Sequence, residues 1–269
     1  MRSLCNVRWL SLFAGLTVGA ACADEAPALA LAKLVADRPA NEGRVGTMHF
    51  QLQTASGSVR EREALMIHSE VGDVERIAIY FTAPAMIEET AFLTFGHDAG
   101  PDENWLYLPA TDRVRRLPAT DRGDYFMGTD MTFGDVSDDF SFGLADWEFA
   151  TGTQEVRDGI PYPVLLGRAK TPDLGQEMGY AGFRALIDPE SAFPIWVEYQ
   201  DTEGEPLKQV TVEEVRPVGG APTAMRFVIE NLQTGHATRV HFTNMRYRPA
   251  LDEAVFDPDA LAYGIPDVD

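Results

Sequence analysis

The amino-acid sequence predicts a mainly β protein made of one domain, on three observations. About ten short segments alternate apolar with polar residues and are separated by Gly, Pro, Asp and Asn turn signals, a pattern shared by a sandwich, a barrel and a single wrapped sheet. No repeat, linker or low-complexity run interrupts them across 24–269. Several strands also carry large apolar groups on both alternating sets, as in Ile77, Ile79 and Phe81 against Tyr80, or Ile195 and Val197 against Trp196. Such strands need cover on two sides, which favours the wrapped sheet, with a cavity or lid on one face and a second layer on the other.

Residues 1–23 read as a secretory signal peptide. Arg2 and Arg8 open it, the apolar run 9–21 is too short for a stable membrane anchor, and Ala21, Cys22 and Ala23 end it with small side chains. Lipid modification at Cys22 is the rival reading, but Gly19 stands where a leucine would be expected. Cleavage before Asp24 removes both cysteines, Cys5 and Cys22, leaving no disulfide or thiolate metal site. It also removes two of 22 basic residues and none of 42 acidic ones, so the formal charge moves from −20 to −22. A chain this acidic is expected to bind neither nucleic acid nor anionic membrane surfaces. The expected location is the periplasm, and the expected state a monomer.

Pro27 near its start, Leu31, Leu34 and Val35 at helical spacing, and Pro39 beyond its end predict a helix over 27–37. Met48, Phe50 and Leu52 alternate with polar neighbours, Gly57 turns the chain, and Leu65 and Ile67 continue on a second strand. Strands follow at 76–81, ended by Pro84, and at 92–95. A hairpin over 105–117 turns at Pro109 and Asp112. Further strands are predicted at 147–151, 163–169, 183–187, 195–199, 208–215, 224–230 and 239–245, with the last turn at Gly235.

Between these strands, 121–136 breaks the alternation. Phe126, Met127, Met131 and Phe133 stand among glycines that disfavour a helix or strand. These side chains either plug the end of a core or form the movable rim of an apolar cavity. In the second reading Gly128 and Gly134 are hinges and the methionines give adaptable contact surface. Arg113, Arg115 and Arg116, beside these apolar groups, are positioned either for a lipid headgroup or for pairing with Asp112, Asp121 and Asp124.

The residues Trp105 to Pro109, Arg113 to Leu117, and Phe126, Met127, Gly128, Thr129 and Asp130 followed by Phe133 and Asp135 resemble the signature of the outer-membrane lipoprotein-sorting protein family, the LolA-like periplasmic carriers. The resemblance runs from the leading helix through Arg60, Glu61, Arg62, Pro84 and 90–93 to Phe256. It implies a strongly curved antiparallel sheet, an incomplete β-barrel, with short helices covering an apolar cavity that takes acyl chains. Trp105, Tyr107, Phe126, Met127, Met131 and Phe133 are then the expected lipid-binding residues. Glu88 and Glu89 depart from the smaller or apolar residues of the family pattern.

No motif for common catalysis is present: the sequence lacks a Gly-x-Ser-x-Gly elbow, a Walker loop, a dinucleotide fingerprint and a His-Glu-x-x-His pair. His49, His68, His97, His236 and His241 show no metal-ligand spacing, so no metal or other cofactor is expected. Asp130, Asp135, Asp138 and Asp139 lack the calcium-loop pattern and read as a solvated loop edge. The reading that best joins these points is a non-enzymatic carrier for the acyl chains of lipids or lipoproteins bound for the outer membrane. Its partners would be an inner-membrane exporter or an outer-membrane acceptor. A docking accessory of an RND-type lipid exporter is the alternative. A lipid or glycan hydrolase rests on the acidic cluster alone.

Overall fold

Thirteen strands form one antiparallel sheet in the computed structural model, which describes residues 25–40, 42–72, 74–97 and 101–268. The signal-peptide segment and both cysteines lie outside these residues. A first meander contains β1 (Arg44–Gln53), β2 (Val59–Val71), β3 (Val74–Ala83), β4 (Ala91–His97), β5 (Glu103–Leu108) and β6 (Arg113–Leu117). A second contains β7 (Trp147–Arg157), β8 (Ile160–Ala169), β9 (Gly182–Ile187), β10 (Pro194–Gln200), β11 (Pro206–Val218), β12 (Ala221–Asn231) and β13 (Ala237–Tyr247). The sheet order is β6-β5-β4-β3-β2-β1-β13-β12-β11-β10-β9-β8-β7, so β1 and β13 pair at the seam. The curved sheet stays open and leaves β6 and β7 as edges. Every segment read as a strand is one, and together they account for all thirteen, more than the overall figure of about ten.

The period of two divides each strand between two buried layers. Ile77, Ile79 and Phe81 of β3 join Met66, Phe50, Phe242, Phe227, Val197 and Phe183 in a continuous apolar inner face that crosses the seam. Ala78 and Tyr80 point the other way, into an outer cluster with Ile67, Leu93 and Tyr107. That cluster is roofed by two 3-10 segments, Glu253–Phe256 and Pro258–Tyr263, whose Val255, Phe256 and Leu261 are buried. On β10 the expected grouping changes. A register shift between Pro194 and Trp196 lets Ile195 pack with Trp196 on the outer side, while Val197 stays inside.

Helix α1 (Glu25–Ala36) lies against β7 and β8 and buries Ala28, Ala32 and Val35, at i, i+4 and i+7. Leu34, expected on the buried face, is 60% exposed because it falls outside that stripe. Two further short helices, α2 (Phe133–Asp138) and α3 (Pro172–Met178), were not anticipated. In α3, Thr171 accepts the Leu174 N–H at 3.2 Å, Pro172 starts the helix, and Gly179 ends it at φ 78°. Among the described residues no helix is long and apolar enough to cross a membrane.

Candidate functional site

The connection between β6 and β7, residues 118–146, closes the inner face like a lid. Phe126 has no exposure and sits edge-on to Phe92 and Phe133, with ring centroids 5.2 and 5.7 Å away. Met131 and Phe133 are buried beside it, and Met127 packs against the same cluster from a half-buried position. In this closed state the four residues plug the core. The expectation that glycine keeps this segment from forming a helix fails at Gly134, which lies buried inside α2. A Cβ there would meet the Arg122 side chain at 2.9 Å, so Gly134 serves close packing rather than hinging. The left-handed positions lie at both flanks instead, at Met127 and Gly128 (φ 49° and 71°) and at Asp139 and Phe140 (φ 36° and 63°).

Beneath the lid lie two hollows of about 40 Å³ each. Met131, Phe140 and Phe227 line both; Met66, Ala224 and Phe242 belong to one, Val197, Val210 and Ile229 to the other. Each is little larger than the share of one water molecule in the liquid, about 30 Å³. Ligand pockets run to about 300–1,000 Å³, well above either hollow.

Polar contacts fasten the lid, and they overturn the reading of the acidic cluster as a solvated edge. Asp130 is 4% exposed; His236 Nδ1 lies 2.6 Å from its carboxylate and the Thr238 hydroxyl donates to it at 2.7 Å. Asp135 closes a capping box with Thr132, receives the Tyr180 hydroxyl at 3.0 Å and pairs with the ammonium of Lys208. Lys208 has no exposure, donates to the Asp130 carbonyl at 3.2 Å, and lies 4.8 and 5.3 Å from the rings of Tyr180 and Tyr199. Burial, with Asp135 second, pushes both phenols well above their ordinary range. Arg122 ties α2 to the segment after it, through Asp138 at 2.9 Å and Asp146 at 2.8 Å. Asp138 beside it is the main reason its guanidinium is held above its usual pKa. Arg62 of β2 donates to the Met127 carbonyl, at the first left-handed flank.

These partners were missed because each is remote in sequence. A signal was present all the same: Lys208 occupies the same alternating set as Val210 and Val212, and Arg62 the same set as Ala64 and Met66. A cation in register with buried apolar residues implies a buried counter-charge.

The remaining predicted residues are divided by the pleat. Trp105 and Tyr107 face the outer cluster, away from the lid, because their neighbour Leu106 takes the inward position on β5. They are therefore not neighbours of Phe126. Pairing across the hairpin places Arg116 beside Trp105, on the outer side, where it bonds Glu103 at 2.5 Å. Arg113 and Arg115 pair with Leu108 and Leu106, on the inward side of an edge strand. All three arginines are exposed, and none pairs with Asp112, Asp121 or Asp124 among the described residues.

The fold also joins groups that the sequence keeps apart. His68, Glu75 and Asp139 each bring a potential ligand atom within 4.8 Å of the others, at the wall of a polar cavity of about 290 Å³. By contrast, His49 and His241 pair across β1 and β13 and stack with ring centroids 4.6 Å apart.

A family model described as "Uncharacterized protein" matches residues 73–263. Among solved structures, a domain assigned as an outer membrane lipoprotein-sorting protein from Vibrio parahaemolyticus superposes with a TM-score of 0.81 at 26% identity, covering 89% of this chain and 100% of its own. A DUF1329 family protein from Desulfovibrio piger gives 0.80 at 21%, covering 88% and 98%. A LolA superfamily protein from Nitrosomonas europaea gives 0.66 at 16%, covering 86% and 98%, a likeness of fold. No curated protein matches the sequence.

Proposed function

The chain belongs to the family whose model spans residues 73–263 and is LolA-like in fold, and on that premise we propose that it is a non-enzymatic periplasmic carrier that shelters an acyl chain of a lipid or lipoprotein on its way to the outer membrane. The observation that carries this reading is the continuous apolar inner face, covered beside α1 by one segment that holds buried fastenings at Asp130 and Asp135 between two left-handed flanks. Opening at these flanks exchanges Met131 and Phe133, which lie between them, for an acyl chain against the same residues, with Phe126 kept in the wall. Burial of a chain is worth about 0.8 kcal/mol per methylene, so the exchange needs no catalytic group. The binding surface is then the inner face with Phe126, Met127, Met131 and Phe133, and Gly128 is a hinge. Trp105 and Tyr107 support it from the opposite layer, and Arg113 and Arg115 stand at its edge for a headgroup.

The test is uptake of a fluorescent fatty acid by the purified protein. One chain per molecule is expected. Ala224→Phe, which fills one hollow, should weaken uptake at least tenfold with the fold intact by circular dichroism. Absence of uptake by the unmodified protein, or unchanged uptake by the Ala224 variant, overturns the reading.

A further inference from the structure

A cavity of about 290 Å³ lies outside the apolar inner face, among α1, the β2–β3 hairpin and the end of the lid, and its wall is polar. His68 stands on β2 and is 1% exposed; Glu75 faces it from β3, with its Oε1 2.6 Å from His68 Nε2. Asp139, the left-handed C-cap of α2, completes the group. We propose that His68, Glu75 and Asp139 bind a divalent transition-metal ion, of the zinc class, at the rear attachment of the lid.

Three features point there. The nitrogen that reaches the group is His68 Nε2, which faces Glu75 Oε1 at 2.6 Å from a ring that is itself buried, while Nδ1 has no hydrogen-bond partner among the described residues. One imidazole and two carboxylates suit zinc or its neighbours better than calcium or magnesium, which take oxygen ligands only. The spacing is close to what is needed: an ion about 2.0–2.2 Å from each ligand holds tetrahedral ligand atoms roughly 3.5 Å apart, so His68 Nε2 and Glu75 Oε1 open from 2.6 Å while the widest separation closes from no more than 4.8 Å. The shift required is about an ångström, within reach of side-chain rotation.

Protonation agrees with this use. Burial, helped by Arg44, lowers the His68 pKa to about 3, which leaves the imidazole uncharged and able to donate a lone pair at neutral pH. Burial, with Asp139 next, raises Glu75 to about 8. Burial pushes Asp139 up, but Arg44, paired with it, brings its carboxyl below the ordinary value. Arg38, the second cation of the wall, is occupied by the Phe140 carbonyl at 2.8 Å and the Asp139 carbonyl at 3.2 Å. The site does not depend on the carrier reading.

Zinc titration by calorimetry and native mass spectrometry on the purified full chain tests the site, with cobalt as a spectroscopic probe. The expected result is one ion per chain and a visible cobalt absorption typical of low coordination number. His68→Gln and Glu75→Gln should each weaken zinc binding more than tenfold, whereas Asp201→Asn, on a distant acidic turn, should not. If either site variant fails to fold, the stoichiometry and cobalt spectrum of the unaltered chain decide. Absence of binding, several weak ions without the cobalt band, or equal affinity in folded site variants overturns the proposal. A site that binds zinc in a protein that takes up no lipid would leave this inference standing and remove the carrier reading.

Discussion

Lys208 is fully buried, and its ammonium group meets a carboxylate, a carbonyl and two tyrosine rings. A buried pair of this kind contributes little compared with an apolar substitute, but breaking it leaves a charge without compensation, at a cost of about 3–5 kcal/mol. Lys208→Met is therefore expected to destabilise the protein by about 3 kcal/mol in urea denaturation. Pairing it with Asp135→Asn should recover part of the loss, since no buried carboxylate then stays unpaired; equal stability of the single variant and the parent would remove the fastening role assigned here. At this scale the sequence was only partly legible. Phe126, Met131 and Phe133 stood out because aromatic and sulfur side chains are rare between glycines, while Lys208 stood out only by register, and both it and His236 lie far in sequence from the carboxylates they hold.

At the scale of elements, the lid is a short helix and two 3-10 turns laid across a sheet, held by side chains from both meanders. Thr94 of β4 and Ser137 of α2 meet with their hydroxyl oxygens 2.8 Å apart and buried. That approach is compatible with the side-chain spacing of a disulfide. Thr94→Cys with Ser137→Cys should therefore tie the lid down when oxidised. Expected is a protein that takes up a fluorescent fatty acid when reduced and at least tenfold less when oxidised; equal uptake in both states would mean that lid movement is not the route in. The strands were legible because alternation is a local signal. Helix α2 was not: its capping box, Thr132 with Asp135, was hidden by Gly134 at its second position, a residue chosen here for the space beneath Arg122 rather than for backbone freedom.

For the whole molecule, the sheet is sandwiched unequally. The lid covers its inner face, and the C-terminal segments cover the outer face of the first meander. Phe256, 3% exposed, anchors this outer roof, and Phe256→Ala should cost about 3–5 kcal/mol. The loss should show as an earlier thermal midpoint; an unchanged midpoint would make the roof dispensable. The two-faced strands of the sequence foretold that both sides need cover. What they could not disclose was which segment covers which side, because covering is decided by chain path and not by periodicity.

The seam between β1 and β13 has a consequence for how the chain comes into being. Every other strand pair joins sequence neighbours, so each meander can assemble as it is made, but Arg44 meets Tyr247 only across the whole length of the domain. The first strand synthesised must wait for the last, and until then its edge is open to any extended chain nearby. A growing polypeptide of this kind is thus two half-sheets with a sticky margin each, and completion is a single late zipping event rather than a gradual extension.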